Sequence, residues 1–437
     1  MMQYAKRWLA AMLLGACAVL GSLAPLSAQN QEVVLTASSG SKLAVALPTP
    51  QNAGVEPAVV NRDFQEVLPR DLDESGLFSL VRSGLPNSIE PSSYKNWVTA
   101  GVDWLLVTKV SRVGNDDLEV ILQVVDTKPG KSVFSKKYTG KHAALRRIAH
   151  TICDDLVAHL TGDRGVAMSR VIFVRQTSLG VKEIFQVDRD GAGLTQLTNH
   201  RSLTLSPTVA SDGRLAYMTY KGGAPEIWGQ LVPGGAHVRL YPKGGKTTEG
   251  HCFAPAWSPD GKRIAFSQGD RRGNSDIVVL DVASGRTRRL TDSTCINTEP
   301  CWNPAGTQIA FTSDRTGSPQ IYLMEEDGSN VRRLTHEGGY NASAAWSPNG
   351  SMIAYVSRFE GKFDLFVYKL GEGKSYQVTT GIASSESPAW SPDERRLVFS
   401  SGSRGGMQLF TTDLSGNTLR RLTEFAGCQS PRWARMK

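Results

Sequence analysis

The chain has 437 residues, 40% of them hydrophobic and 21% charged, with a formal net charge of +8. This length is too great for one ordinary core, and the composition is that of a folded globular protein, so we expect two or more domains. The lysines and arginines are dispersed and form no basic run interleaved with aromatic residues, which argues against binding of nucleic acid. The 43 glycines and 21 prolines predict many tight turns rather than long helices.

Residues 1–28 have the pattern of a secretory signal peptide. Lys6 and Arg7 precede an apolar run, Trp8–Leu20, and small residues around Ala28 favour cleavage after it. The run is too short and wrongly flanked for a membrane-spanning helix. A lipoprotein signal that places a lipid on Cys17 is the alternative, although the apolar stretch continues well past that residue. The first interpretation predicts an exported, soluble mature protein.

Residues 29–42 are expected to be a flexible N-terminal segment, and residues 43–162 an α/β domain. Helical spacing is clearest at Ile148, Ile152 and Leu156, which recur every four residues. Gly162, just after that stretch, is a typical helix stop and sets the predicted domain boundary. The other predicted elements are strands at 43–47, 104–108, 118–125 and 132–138, and helices at 64–75 and 94–100.

A sequence repeat organises residues 163–437. Four copies of a motif ending in Trp-Ser/Asn-Pro place their tryptophans 45, 44 and 44 residues apart, at Trp257, Trp302, Trp346 and Trp390. Each copy contains four short apolar segments separated by turn residues such as Asp-Gly and Asn-Gly. Four-stranded repeats of this length are typical of β-propeller blades rather than helical repeats.

The count of repeats indicates six blades and a closed ring. The first unit, which begins at Ser169, lacks the Pro-x-Trp strand, whereas the C-terminus carries an isolated one, Ser430–Trp433. We therefore predict that the terminal strand completes the first blade. Closure removes two open sheet edges that would otherwise favour aggregation.

Sequence signatures of catalysis are missing from this chain. It contains no Gly-x-Ser-x-Gly nucleophile elbow and no His-Glu-x-x-His zinc motif. Three Gly-Lys-Ser/Thr triplets occur, but none has the upstream glycine that a phosphate-binding loop requires. The aspartates of the repeats, such as Asp260 and Asp393, fall at turns where backbone geometry explains them. The sequence therefore predicts a protein that is not an enzyme.

With these repeats, the preceding domain and the signal, the sequence resembles the TolB family of the Tol–Pal envelope system. The most specific stretch is Asn297–Trp302, continued by Ile309–Asp314, and the resemblance covers nearly all of the mature chain. It implies an α/β N-terminal domain followed by an all-β six-bladed β-propeller. It also implies a periplasmic binding protein that works as a monomer, without cofactor or metal and without insertion into a membrane.

The resemblance further implies two protein partners. In the family, the propeller binds the peptidoglycan-associated lipoprotein Pal on the face where the innermost strands begin, and the mature N-terminus binds the inner-membrane protein TolA. The system maintains the outer membrane and draws it inward during cell division. The positions of this chain that match the Pal-binding face are His251, Ala254, Thr298 and Glu299.

Two further predictions come from the residues themselves. Glu386, like Glu299, precedes a Pro-x-Trp motif, so we expect both carboxylates to line one mouth of the channel and contact the Pal-like partner. In the N-terminal segment, Glu32, Val33, Val34 and Leu35 form a short β-prone stretch, which favours strand addition onto a TolA-like partner.

Each of these residues also has a simpler interpretation. His251 is isolated in a loop, where a solvated side chain is an alternative to a partner contact and a metal ligand is disfavoured. The two mouth carboxylates would hold a cation if they did not contact a partner. The repeated tryptophans are expected to pack between blades rather than form a ring that stacks on a ligand.

Five cysteines remain after signal cleavage, with no Cys-x-x-Cys pair. Cys252 lies five residues before Trp257 and Cys295 seven before Trp302, in loops of neighbouring blades, so a disulfide between these two cysteines is one possibility in an oxidising compartment.

Two other functions stay open at this point. One is a propeller that binds a sugar or another small ligand in an aromatic-lined pocket. The other is the non-catalytic propeller of a peptidase assembly, which the absence of a hydrolase segment in the sequence disfavours.

Overall fold

The structure is a computed structural model that describes residues 42–243, 250–292, 294–359, 361–403 and 406–435. An N-terminal α/β region is followed by a six-bladed β-propeller, which confirms the fold predicted from the sequence. The predicted signal peptide, with Cys17, and the TolA-like contact residues Glu32, Val33, Val34 and Leu35 lie outside the described residues. Within the described ranges, no helix is long and apolar enough to span a bilayer.

The N-terminal region is built on a six-stranded mixed sheet. Its strand β1 pairs in parallel with β3 and β4, while β4, β5 and β6 form an antiparallel meander. Helices α2 and α4 pack on one face of the sheet and α3 on the other. The elements are β1 Leu43–Ala46, β2 Gln51–Ala53, α1 Pro57–Val60, α2 Val67–Ser75, β3 Phe78–Leu80, α3 Tyr94–Thr99, β4 Trp104–Val113, β5 Asp117–Asp126, β6 Lys131–Lys141 and α4 Leu145–Thr161.

Helix α4 shows why the apolar spacing was informative. Ile148, Ile152 and Leu156 are buried against the sheet, in one core with α2. The helix ends at Thr161, and Gly162 takes a left-handed conformation with φ of 74° that a side chain would strain. The predicted domain limits stay a prediction, since nothing tests them directly.

The propeller consists of six four-stranded antiparallel sheets. Blade 1 contains β7 Arg170–Ser178, β8 Val181–Asp188, β9 Thr195–Gln196 and the C-terminal strand β30 Cys428–Ala434, and blade 2 contains β10 Thr204–Val209, β11 Leu215–Thr219, β12 Glu226–Gln230 and β13 His237–Tyr241. Blade 3 contains β14 Cys252–Trp257, β15 Arg263–Gly269, β16 Ser275–Asp281 and β17 Thr287–Arg289, and blade 4 contains β18 Asn297–Trp302, β19 Gln308–Ser313, β20 Gln320–Glu325 and β21 Arg332–Arg333. Blade 5 contains β22 Asn341–Trp346, β23 Met352–Phe359, β24 Lys362–Lys369 and β25 Lys374–Gln377, and blade 6 contains β26 Ser385–Trp390, β27 Arg396–Ser401, β28 Gln408–Asp413 and β29 Arg420–Arg421.

The C-terminal strand closes the ring as predicted. Strand β30 pairs antiparallel with β7, so that Cys428 faces Arg175 and Trp433 faces Val171. The indole nitrogen of Trp433 donates a hydrogen bond to Ser169 Oγ at 2.9 Å, just ahead of β7. Blade 1 is therefore assembled from both ends of the propeller sequence.

The repeated tryptophans pack between blades, as expected from the sequence, and the same side chains also line the channel cavity. Trp257, 6% exposed, shares a core with Ile227 of blade 2 and Phe266 of its own blade. Trp302, 5% exposed, packs in the same way against Val279 of blade 3. Large aromatic side chains at this position bury apolar surface from two sheets at once.

A disulfide between Cys252 and Cys295 is not present in the structure. The reason is that the two sulfurs face opposite sides of blade 3. Cys252 is buried in the core shared with blade 2. Cys295 Sγ lies 3.8 Å from Asn297 Oδ1 and from Ser313 Oγ, toward blade 4.

An arginine cluster joins the N-terminal region to the propeller at the C-terminus of α2. Arg189 of blade 1 is 2.6 Å from Glu74, Arg420 of blade 6 binds the same carboxylate, and Arg395 donates to the Ser75 carbonyl. Cations are favourable at a helix C-terminus because the last carbonyl groups carry partial negative charge. The helix thereby anchors the region to blade 1, which contains the ring closure, and to the neighbouring blade 6.

A buried His–Asp cluster lies beside this contact. His150 of α4, 3% exposed, has its Nδ1 2.5 Å from Asp71 Oδ2 of α2, and Asp190 of blade 1 lies 3.8 Å from Nε2. Arg146 binds the Asp190 carboxylate, and Arg70 lies 3.8 Å from it. Burial opposes the imidazolium, but hydrogen bonding and attraction to Asp71, with Asp190 adding to it, raise the pKa of His150. Burial also raises the pKa of Asp71.

The ring closure is tested by truncation. Deleting the last eight residues, Ser430–Lys437, leaves the edge of β7 that pairs with β30 open along most of its length and removes Trp433. We expect a loss of unfolding free energy beyond the roughly 3 kcal/mol typical of one aromatic core truncation, with aggregation through the open edges. Thermal unfolding with light scattering measures both, and deletion of residues 436–437 alone is the control. Unchanged unfolding of the longer deletion would contradict the topology.

The His150 cluster predicts a pH dependence of stability. A histidine whose pKa is raised on folding stabilises the fold fully below its unfolded pKa of about 6.5, and that contribution is lost as the pH rises through the raised value. The raised pKa of Asp71 acts in the same direction. The melting temperature should therefore fall between pH 6 and pH 8, and fall less in His150→Gln, which keeps a polar partner for Asp71 but does not titrate. His159→Gln, at an exposed position of the same helix, is the control, and equal slopes for all three proteins would contradict the prediction.

Candidate protein-binding site at the mouth of the propeller channel

The innermost strand of every blade lines a central channel. Strands β10, β14, β18, β22, β26 and β30 each contact the next around a closed ring. Residues of all six strands surround one cavity of about 330 Å³. We call the end where these inner strands begin the mouth, and the end where they finish, at the tryptophans, the base.

A bulge interrupts every inner strand at the same level. The pairing register shifts there in all six blades, and one residue of each strand takes a left-handed conformation with φ between 49° and 56°. Such values are uncommon for residues other than glycine, and bulges of this kind redirect the side chains of the strand. The six residues are Ser206, Ala254, Glu299, Ser343, Ser387 and Ser430.

Glu299 is the exception in this ring, because the other five residues are small. Its carboxylate reaches blade 5, where Oε2 accepts the Ser343 backbone N–H at 2.8 Å and Oε1 accepts the Ser343 hydroxyl at 3.0 Å. Within its own blade, Oε2 also accepts the Thr312 hydroxyl at 3.1 Å. Its backbone N–H donates to Ser267 Oγ of blade 3 at 3.2 Å. Glu299 thus connects three blades and is held in one orientation.

The residues predicted from the sequence to contact a Pal-like partner all lie at the mouth end, on three blades. Ala254 and Glu299 occupy the bulge level and line the cavity. Thr298 is one residue nearer the mouth, where its hydroxyl accepts a hydrogen bond from Ser267 at 3.3 Å. Glu386 holds the same position in blade 6 and is exposed, and His251 is exposed in the loop before β14.

Blade 5 contributes residues that the sequence analysis missed. Tyr340 precedes its inner strand by one residue, as His251 does in blade 3, and its ring stands edge-on to Phe363 with centroids 5.3 Å apart. Partial burial and the charges of Glu299 and Glu386 raise the pKa of Tyr340. Partial burial and Glu299 likewise raise the pKa of Glu386. The mouth therefore has an acidic side, formed by blades 4 to 6, that favours donors of hydrogen bonds.

The comparison of repeats could have identified Tyr340 and Ser343, since both occupy aligned positions. The hydrogen bonds between Ser343 and Glu299 could not be inferred from the sequence, because they depend on the left-handed conformation at the bulge. The described residues contain no group of three or more His, Cys, Asp or Glu side chains arranged to hold a metal ion.

The two ends of the channel differ in what covers them. The hydrogen bonds that join the N-terminal region to the blades, among the described residues, involve Asp190, Arg189, Arg395 and Arg420. These residues lie on turns and short strands at the base. The mouth, with exposed Glu386 and His251, faces away from that contact.

Fold and site together define a six-bladed β-propeller that carries an α/β region at its base. Residues 157–437 match the family described as the TolB beta propeller domain, and residues 31–133 match the TolB amino-terminal domain. The chain belongs to the TolB family, as its resemblance predicts.

Two sequence relatives support the same assignment. Protein TolB homolog of Chlorobium chlorochromatii is 32% identical over 299 residues, which cover 66% of this chain and 65% of that protein. Tol-Pal system protein TolB of Geobacter sulfurreducens is 36% identical over 201 residues, covering 44% and 46%. The chain thus spans less than two thirds of the length of these relatives in the alignments.

The fold also matches a solved structure. TolB from Acinetobacter baumannii superposes with a TM-score of 0.75 and covers 90% of this chain and 97% of its own. The sequence identity is 24%, so this likeness concerns the fold alone.

Proposed function

We propose that this chain is the periplasmic, non-enzymatic binding component of a Tol–Pal system. It binds a Pal-like lipoprotein of the outer membrane at the channel mouth and a TolA-like inner-membrane protein through its N-terminal segment. In this role it supports outer-membrane integrity and constriction during division. Family membership supports the class of function, and the relative in Geobacter sulfurreducens, a Tol-Pal system protein, supports the system.

The observation that carries the docking proposal is the asymmetry of the propeller. The N-terminal region is anchored at the base, whereas His251, Thr298 and Glu386 stand at the other end. The inner strands hold these residues in a rigid frame, so a partner that docks there orders little backbone and loses little conformational entropy.

The acidic side of the mouth indicates what the partner presents. Partial burial of the carboxylate, and then the charge of Glu299, raise the pKa of Glu386, so a partner that places N–H or O–H donors between the two carboxylates relieves their repulsion. Contacts of this kind contribute to specificity and to the rate of association. His251 and Ala254 extend the proposed surface to blade 3.

The proposed TolA-like contact depends on Glu32, Val33, Val34 and Leu35 alone. Their β-prone pattern supports addition of a strand to the partner. A propeller that binds a small ligand is the alternative favoured by one observation, the cavity of about 330 Å³ in the channel.

Glu299 provides the test. Its carboxylate is not a free surface charge, since it is hydrogen-bonded to Ser343 and Thr312. Because the carboxylate accepts three hydrogen bonds, a Glu299→Lys change would damage the fold as well as binding. Glu299→Gln keeps one acceptor oxygen for Ser343, removes the charge and exchanges the other oxygen for an amide donor. We expect it to weaken binding of the soluble domain of a Pal-type lipoprotein roughly tenfold, or about 1.4 kcal/mol.

The matched control lies at the base of the same blade. Asp327→Asn, in the turn between β20 and β21, preserves the side-chain oxygen that caps Ser329 at 2.9 Å and should leave affinity unchanged. Isothermal titration gives the affinities, and circular dichroism checks the fold. If Glu299→Gln, His251→Ala and the control all bind as the wild type does, the docking face lies elsewhere.

A further inference from the structure

The last inner strand departs from the repeat at one position inside the channel. Just before the tryptophan of the motif, the other blades carry Ala256, Cys301, Ala345, Ala389 or, in blade 2, Thr208 ahead of Val209, whereas β30 carries Arg432. The long cationic side chain thus occupies a register position where five blades have small residues. It lines the channel cavity.

The guanidinium of Arg432 is poorly satisfied by the protein. Its Nη1 donates to the Pro431 carbonyl at 2.9 Å. Within the described residues it makes no other hydrogen bond, and no carboxylate lies within ion-pair distance of it. A guanidinium has five N–H donors, and most of those of this half-buried side chain have no protein acceptor among the described residues. Burial lowers the pKa of Arg432 against the attraction of Cys301 and Glu299, although an arginine stays protonated at neutral pH.

Glu299 does not neutralise this charge directly. Its carboxylate is committed to Ser343 and Thr312, toward blade 5. It also lies nearer the mouth, since Glu299 is at the bulge while Arg432 is two residues beyond the bulge in its strand. The donors of Arg432 therefore remain available to a ligand in the cavity.

The rest of the cavity wall suits a small amphipathic acid. The hydroxyls of Ser206, Ser387 and Ser430, for which no protein partner is found within the described ranges, stand around the channel at the bulge level. Pro255, Trp257 and other proline and tryptophan side chains supply apolar surface. A volume of about 330 Å³ is at the small end of ligand pockets.

We propose that the channel is a binding site for an organic carboxylate, whose two oxygens pair with the guanidinium of Arg432 and whose apolar body lies against the proline and tryptophan walls. A planar carboxylate matches the two parallel donors of a guanidinium. A singly charged carboxylate is preferred to inorganic phosphate, because Glu299 already places a negative charge in the same channel. The site does not depend on the identity of the docking partner.

The carboxylate has two possible sources, a free small acid or an acidic side chain of a docked protein. Hexanoate is the probe for the site itself, with acetate, inorganic phosphate and chloride at equal ionic strength for comparison. Isothermal titration is run on the full mature protein and on Arg432→Ala, which restores the residue found in three other blades. Cys301→Ala, at the same level of the channel, is the matched control, and Arg432→Lys tests whether charge alone suffices.

We expect hexanoate to bind the wild type and Cys301→Ala equally, at least tenfold more weakly to Arg432→Ala, and with intermediate affinity to Arg432→Lys. Acetate and phosphate should bind more weakly than hexanoate. A second titration adds the Pal-type domain with and without saturating hexanoate. Competition that is lost in Arg432→Ala would identify a partner side chain as the natural source, and independent binding would identify a free acid.

Two results would overturn the proposal. One is the absence of hexanoate binding together with equal affinity of the wild type and Arg432→Ala for the Pal-type domain. The other is hexanoate binding that survives Arg432→Ala unchanged, in a variant whose thermal unfolding shows an intact fold.

Discussion

The pairing of β30 with β7 is the interaction on which the other features of this protein depend. It converts a row of five complete blades and one incomplete blade into a ring, so no sheet at the seam is left with an open edge. Only in a closed ring do six inner strands enclose a channel with a defined mouth and base. The same strand brings Ser430 and Arg432 into that channel and fastens Trp433 to Ser169.

The seam is also where the N-terminal region is attached. Arg189 belongs to blade 1, which contains the closure, and Arg420 to the neighbouring blade 6, so the carboxylate of Glu74 connects these two blades. Helix α2 therefore does more than fill the N-terminal core, since its C-terminus joins the blade that closes the ring to the blade before it. Because this contact occupies the base, the mouth is the end of the channel that the described part of the N-terminal region leaves uncovered.

Much of this architecture was predictable from spacing alone. Tryptophans 44 or 45 residues apart, each followed by an alternating apolar strand, indicate blades because four short strands cannot bury their faces without neighbouring sheets. The isolated Ser430–Trp433 motif predicts closure for the same reason. In the N-terminal region, the four-residue spacing in α4 and the long strands β4 and β5 were clear, whereas the short β2, β3 and α1 have too few residues to produce a periodic signal.

The details of the candidate site were less predictable, because they depend on backbone chirality and on contacts between blades. The sequence Thr-Glu-Pro does not show that the backbone of Glu299 is left-handed, so that its side chain turns toward Ser343 of the next blade. Cys252 and Cys295 precede the motif tryptophans of neighbouring blades by similar distances in the sequence, yet their sulfurs face different neighbouring blades. Arg432 stands out once the repeats are aligned, but its unsatisfied donors appear only when the surrounding channel is known.

Hydrogen–deuterium exchange of the mature protein, with and without the soluble domain of a Pal-type lipoprotein, tests the proposed docking face most directly. The account predicts that binding slows exchange in the loops and first residues of the inner strands at the mouth, around His251, Thr298, Tyr340 and Glu386. Exchange at the base turns near Asp327 and Arg395 should stay the same. Protection confined to the base or to the strands of the N-terminal region would contradict the account.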